Sequence, residues 1–491
     1  MSFIMDFFPP VTRAAMLATI NTVIGAVGED SILEIAWTVF RKATQKAILT
    51  TIAVILKTII SAMIGYIGPV DSIWKAIIDN PANSELFETL KKDWWKVARF
   101  LVDILEPMKR FVSAESTDGF PPPEASAWNN YNELDLSQPM NRHAVISQIQ
   151  RFFKSIIEVF RQKDLDIARF DMNTKLKTDS SQSIVETTAL RREKNNVPKD
   201  VKVAETAESW IFVNGIAGEF YWNHLSVQKL QDFFFDPDLQ TVDTGDNVAS
   251  RRTTITGVFN RSDGIFWDLI ECAGERRPQV PNNTPSNDSK PTLSSRTASS
   301  REAQDQLVRV LRTALEDSEK AQKDIIMIAH SQGCLLLRLA LEQIHSTATS
   351  DIREVMLTHL RVFTFGNPAY DWDVHAYTAS TEHFANELDY VAKLGVLRLY
   401  SSDRHEAANN DLHYCSKCKA GGDPMHASRP RQSIFVNNKN QTGHLFGSQY
   451  SLKKGDYDCV SEAGEESWLL KRSWRGPPPP PPPPGQTITT G

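Results

Sequence analysis

Downstream of about residue 205, short apolar runs alternate with stretches whose apolar positions recur at three- and four-residue spacing. The runs are Trp210 to Val213, Thr254 to Phe259, Ile325 to Ile328, Leu360 to Phe365, Leu397 to Tyr400 and Ser433 to Val436. Runs of this length read as strands, and strands separated by helical patterns predict an α/β fold with a mostly parallel sheet over residues 205–460. After Ile325 to Ala329, Leu335, Leu336, Leu339, Ala340 and Ile344 have the spacing of a helix buried against a sheet. Within 205–460, residues 278–301 are rich in Pro, Asn, Ser and Thr, which predicts a disordered insertion.

The first 200 residues have a different pattern. Residues 1–80 carry apolar patches at Ala14 to Val27 and Ala47 to Val70, predicting an apolar helical region. Within 47–70, Thr50, Lys57, Thr58, Ser61, Gly65 and Gly68 form one polar or small face, which suits a membrane-interface helix, a helix packed on another in a membrane, or a buried amphipathic helix. A central Lys57 would cost about 2.5 to 3.5 kcal/mol in a bilayer. A stretch that spans alone would keep Arg41, Lys42 and Lys46 cytosolic, whereas a hairpin with 14–27 would reverse the side on which the rest lies. No signal peptide is expected, because the start lacks a basic region and Asp6, Pro9 and Pro10 interrupt it. The expected location is therefore a membrane surface of unassigned topology, and otherwise the cytoplasm. Residues 81–200 are read as a helical region in which Trp94, Trp95, Phe100, Phe152, Phe153, Ile156, Ile157 and Phe160 serve packing.

Composition removes some functions. A formal net charge of −6 offers no basic footprint for nucleic acid. Five scattered cysteines are too few for a disulfide framework in 491 residues. Cys415 and Cys418 have C-x-x-C spacing and lie near His413 and His426, so a zinc-stabilised module stands beside a disulfide or two idle thiols in a loop. The tail, 476–491, includes eight consecutive prolines, Pro477 to Pro484. Such a stiff extended helix acts as a spacer or docks an SH3- or WW-type partner.

The chemistry concentrates at Ala329-His330-Ser331-Gln332-Gly333, where an apolar strand meets a helix at a serine flanked by small residues. This is the pattern of a nucleophile elbow, in which the serine takes a strained backbone conformation that bulky neighbours would obstruct. A serine hydroxyl needs a base to take its proton, and the base needs a partner that fixes its tautomer. His444, after the strand-like run Ser433 to Val436, is the candidate base, with His375, His383, His405, His413 and His426 as competitors and His330 read as structural. Asp389 is the candidate acid, with Glu387, Asp371 and Asp373 as alternatives. Acyl transfer also needs N–H donors for an oxyanion, and the small-residue loop after Val213 makes Ile216 and Gln332 the candidates.

These residues together resemble the lipase-like α/β-hydrolases. Val213-Asn214-Gly215-Ile216 stands in the place of their His-Gly oxyanion strand, and Ala329 to Gly333 in that of their G-H-S-x-G elbow. Phe365-Gly366-Asn367-Pro368-Ala369 is similar to their F-G-x-P segment, Asn386 to Leu394 to their acid-bearing N/H-x-x-D-x-V-P-x-L segment, and Gly443-His444-Leu445 to their histidine segment. Asn214, Ala329 and Ala392 depart from the usual histidine, glycine and proline. The resemblance covers about half the chain and implies an α/β-hydrolase domain. It implies a serine esterase or lipase, with Ser331, Asp389 and His444 as triad and a covalent acyl-enzyme. No metal or organic cofactor is required. Apolar N-terminal segments near a bilayer make lipid or acyl esters the expected substrates, though thioesters or peptides fit the same triad. The competing reading is a non-catalytic, hydrolase-like membrane protein that presents its proline tail to a partner.

Overall fold

The computed structural model describes residues 131–135, most of 138–151, 184–192, 208–235, 250–262, parts of 268–275, 298–398, 400, 432–437 and most of 443–473. The apolar stretch 47–70, the Cys415 to Cys418 motif and the tail 476–491 lie outside these residues, as does the insertion up to residue 297.

The elements in chain order are β1 (Ile184–Arg192), β2 (Ser209–Val213), α1 (Phe220–Phe234), β3 (Ser250–Val258), α2 (Ala298–Ala321), β4 (Ile325–His330), α3 (Gln332–Thr347), α4 (Ser350–His359), β5 (Leu360–Phe365), β6 (Ser380–Asn386), α5 (Tyr390–Leu394), β7 (Ser433–Asn437) and the short β8 (Asp458–Cys459). The eight strands form one sheet in the order β1-β3-β2-β4-β5-β6-β7-β8. Neighbours are parallel from β3 across to β7, while β1 on β3 and β8 on β7 are antiparallel. The fold is thus α/β with a mixed, mostly parallel sheet.

Both faces of the sheet are covered, which explains why the central strands read as continuous apolar runs. Along β4, Ile325, Met327 and Ala329 pack with α2 and α3, while Ile326 and Ile328 pack on the other face with α1 and residues 446–470. In α2, Ala303, Leu307, Leu311 and Leu315 recur every four residues and are buried, with charged residues between them exposed. Each fully buried leucine there contributes about 1.5–3 kcal/mol. The turn at β2 is where the strand order reverses: the chain passes from β2 out to β3 and returns to β4 on β2's other side. Loops at the carboxyl ends of parallel strands on either side of such a reversal leave a crevice.

Three expectations need correction. Residues 184–192, expected to be helical, form β1, whose nine-residue ladder with β3 satisfies its backbone groups across the sheet. The run Leu397 to Tyr400 is not a strand: Leu397, Arg398 and Tyr400 donate to Ala392, Gly395 and Leu397, so this backbone closes local turns after α5. The insertion ends before residue 298 rather than at 301, because Ala298 to Arg301 open α2, with Ser300 fully buried. Among the described residues, no helix is long and apolar enough to cross a membrane.

The interior contains two neutral histidines whose cost appears in acid. Burial pushes the His383 imidazole down to about 3, and burial with neighbouring His444 pushes His330 well below its ordinary value. In the unfolded chain both protonate near pH 6.5, so the unfolded state binds more protons as pH falls and stability declines below that pH. Each such histidine costs about 1.4 kcal/mol per pH unit below 6.5, until for His383 the folded pKa near 3 is reached. Buried Glu133 and Glu382, with raised pKa values, act in the opposite direction. The histidine contribution is therefore read as a difference: a folded His383→Asn chain should lose stability less steeply than wild type between pH 6.5 and 4 in urea titrations. Parallel slopes would contradict the assignment.

Candidate active site

Ser331 ends the buried strand β4 and precedes the first residue of α3. Its backbone lies at φ 56°, ψ −126°, a strained conformation for any residue with a side chain. The turn closes only because its neighbours are small. A Cβ on Gly333 would stand 2.7 Å from the carbonyl oxygens of both Val213 and Asn214, and one on Gly215 would stand 2.4 Å from the Ser331 Cβ. The sharp turn holds the Ser331 side chain at the carboxyl end of β4, over the positive end of α3.

The structure brings Ser331, His444 and Asp389 into one chain of hydrogen bonds. Ser331 Oγ is 2.7 Å from His444 Nε2, and His444 Nδ1 is 2.7 Å from Asp389 Oδ2. All three are buried, Asp389 completely and Ser331 with 2% of its surface exposed. They come from loops after three different parallel strands: β4 for the serine, β6 for the acid and β7 for the histidine. Asp389 also caps α5, since its Oδ1 accepts from Val391 N–H at 2.8 Å. One carboxylate thus serves both contacts, the cap through Oδ1 and His444 through Oδ2.

Several neighbours fix this geometry. Tyr450 Oη donates to Asp389 Oδ2 at 2.5 Å. Burial and the facing Asp389 carboxylate push the Tyr450 phenol well above its ordinary pKa, so it remains a donor. Asn386 Nδ2 donates to the carbonyls of Gly443 and Gln449, at 2.9 and 3.1 Å, and the Gln449 carboxamide oxygen accepts from the backbone of His444 and Leu445. His330 Nε2 donates to the His444 carbonyl at 2.6 Å, with the two rings 4.7 Å apart, which is the structural part expected of it. Gly366 follows β5 at φ +59°, and a Cβ there would lie 2.8 Å from His444 Cε1 and 2.9 Å from Asp389 Oδ2.

On the other flank, the 214–218 loop lies against the serine through Gly215. Asn214 Oδ1 accepts from Asn260 N–H, Asn214 Nδ2 donates to the Asn260 carbonyl, and Asn260 Nδ2 donates to the Gln332 side-chain oxygen. Ala217 is held at φ 53°, and its N–H donates to Asp268 Oδ2 at 2.7 Å. Ser262 donates to the same oxygen of Asp268, and Gln148 donates to Glu219 beneath the loop. Ile216, half-buried on this loop, and buried Gln332 therefore sit on the two backbone segments that flank Ser331. Asn214 holds the loop to the end of β3 in the position where the resemblance led to a histidine.

Three of the competing candidates, His383, His375 and Asp371, are occupied elsewhere. His383 lies in β6 between Thr364 Oγ1 at 2.6 Å and Gln432 Oε1 at 2.8 Å, and His375 Nδ1 faces the Trp372 carbonyl. Asp371 lies 3.7 Å from buried Arg338. His405, His413 and His426 lie outside the described residues. Among the described residues, no group of three or more His, Cys, Asp or Glu side chains is arranged to hold a metal ion.

Sequence reasoning missed Tyr450, Gln449 and Asn260, which carry no local signature. Asn386 and Gly366 lay inside the quoted acid-bearing and F-G-x-P segments, and that was their only signal. Chemically, the arrangement pairs a hydroxyl with an imidazole whose far nitrogen faces a carboxylate, and the imidazole can withdraw the hydroxyl proton while the carboxylate stabilises the resulting cation. Compared with known proteins, the chain matches no protein-family model, and no curated protein is similar to it in sequence.

Proposed function

We propose that this chain is a serine hydrolase of the α/β-hydrolase type that cleaves carboxylic esters. The observation that carries the reading is the continuous relay from Ser331 Oγ through His444 to Asp389, 2.7 Å at each step, with the serine on a strained strand-to-helix turn. The chain order serine, acid, histidine and the position of all three at the carboxyl ends of parallel strands support the same reading.

In this mechanism, His444 Nε2 takes the Ser331 proton as Oγ attacks the ester carbonyl. The carbonyl oxygen becomes an oxyanion, which the backbone N–H groups of Ile216 and Gln332 stabilise with the positive end of α3. His444 then returns the proton to the departing alcohol, leaving an acyl group on Ser331. Water, deprotonated by the same imidazole, releases the acid and restores the serine. Lipid or long-chain acyl esters are the substrates we favour, because the apolar N-terminal stretches of the sequence suit a membrane surface.

A chromogenic ester panel of increasing acyl length tests the proposal. The expected result is a burst of alcohol product equal to the enzyme concentration, followed by slower turnover, with the rate rising toward longer chains. Linear, metal-dependent turnover, or no turnover by the folded chain with and without detergent, would contradict it.

A further inference from the structure

We infer that Lys229 and Glu133 form a buried clamp of opposite charges whose task is to position His444, an inference that rests on the serine hydrolase reading above. The loop that carries the histidine runs from His444 to Tyr450, so it begins and ends on residues that touch Asp389. Between those ends the loop is held by two groups of opposite charge that the chemistry itself does not use.

Lys229, on α1, is only 3% exposed. Its ammonium donates to the carbonyls of Phe446 at 2.7 Å, Gly447 at 2.8 Å and Tyr450 at 2.5 Å. An ammonium has three N–H groups, and all three are directed at this loop. That disposition makes Lys229 a fixed donor rather than a base or nucleophile. Glu133, only 4% exposed, approaches from the opposite charge sense. Its carboxylate accepts from the N–H groups of Gly447 at 2.5 Å and Ser448 at 3.0 Å, and from the Ser448 hydroxyl at 3.0 Å. Gly447 permits this approach, because a Cβ there would lie 2.1 Å from the Tyr131 carbonyl oxygen.

Burying a lysine and a glutamate is costly, and burial pushes the two pKa values in opposite directions while each charge favours the other. A loop needing only attachment is served by neutral hydrogen bonds. Here the cation collects carbonyl oxygens and the anion collects N–H donors of successive peptides, so sliding or rotating the loop breaks both sets together. Glu133 lies 314 residues before Gly447, which makes the segment before the sheet part of the histidine's support.

The test uses the full chain with Lys229→Met, Glu133→Gln and the double variant. A displaced imidazole loses proton transfer without losing substrate contacts, and a misplacement of about 1 Å costs roughly 10²-fold. Lys229→Met is therefore expected to lower kcat by about ten- to hundredfold with KM within about twofold. Glu133→Gln should lower it less, and the double variant by less than the product of the two losses, because both hold one loop. The deshielded proton between His444 Nδ1 and Asp389 supplies a second readout that needs no turnover: its downfield resonance should broaden or shift in both single variants. Folded variants with wild-type kcat and an unchanged resonance would overturn the clamp, and Glu133→Gln alone decides it if Lys229→Met does not fold. A folded wild type without esterase activity would instead overturn the hydrolase reading, while the resonance still reports on the clamp.

Discussion

Replacing Ser331 with alanine is expected to abolish ester hydrolysis while leaving the fold in place. The two effects separate because the structural demand at residue 331 falls on the backbone. Its N–H donates to the Phe365 carbonyl at 2.9 Å, and its φ of 56° is set by the turn between β4 and α3. Alanine keeps the amide and occupies the same space minus one oxygen, so the strain is unchanged and Tm should move by no more than a few degrees. The hydroxyl's one hydrogen bond in the site is with His444, and losing it removes the nucleophile itself. In serine hydrolases that act through a triad, this loss is on the order of 10⁶ in kcat, with the residue of catalysis coming from oxyanion stabilisation and binding. Steady-state hydrolysis beside a thermal melt makes the check. An alanine variant retaining a tenth of the activity would place the chemistry elsewhere.

Asp389→Asn is expected to cost about 10⁴ in kcat, and the surrounding donors say why. The carboxylate accepts from three groups: Val391 N–H on Oδ1, and His444 Nδ1 and Tyr450 Oη on Oδ2. An asparagine must put its NH2 at one of those two positions. Placed at the Oδ1 position it faces a backbone N–H, which cannot turn away. Placed at the Oδ2 position it faces a phenol that can rotate to accept and an imidazole that can change tautomer. The second arrangement avoids the donor clash, and it leaves the His444 proton on Nε2, where the ring can no longer accept the serine proton. The variant should fold normally, hydrolyse esters about 10⁴-fold more slowly and show a ¹⁵N pattern for His444 with Nε2 protonated. Full activity, or a His444 protonated on Nδ1 as in wild type, would contradict this account of Asp389.

Much of the central sheet was legible in the chain because β2, β4 and β5 are largely buried on both faces and carry mostly apolar runs. The serine, acid and histidine were legible for another reason: each stands in a short segment where a turn limits what its neighbours can be. β6 was harder to see. Its Thr381, Glu382 and His383 are polar yet buried. Glu382 accepts from Ser467 and Trp468, and His383 is satisfied by Thr364 and Gln432. Periodicity counts such residues as solvent-facing, since the partners that make their burial tolerable lie tens of residues away. β1 was missed because its sequence, IVETTALRR, mixes charges with apolar residues and pairs by an edge ladder rather than by a central apolar face. Leu397 to Tyr400 erred the other way: an apolar run was read as a strand where the chain instead turns back on α5. The support of His444 by Lys229 and Glu133 could not be read at all, because it joins residues 217 and 314 positions distant from the loop through backbone atoms that every sequence possesses.

Whether Ser331 is activated is the centre of the account, and a fluorophosphonate tests it most directly, because this reagent phosphonylates a serine whose proton is taken by a neighbouring base. The folded wild-type chain should gain one adduct, mapped by mass spectrometry to Ser331, with none in Ser331→Ala and none in His444→Ala. A folded wild type that gains no adduct, with and without detergent, or an adduct that persists in Ser331→Ala, would contradict the account.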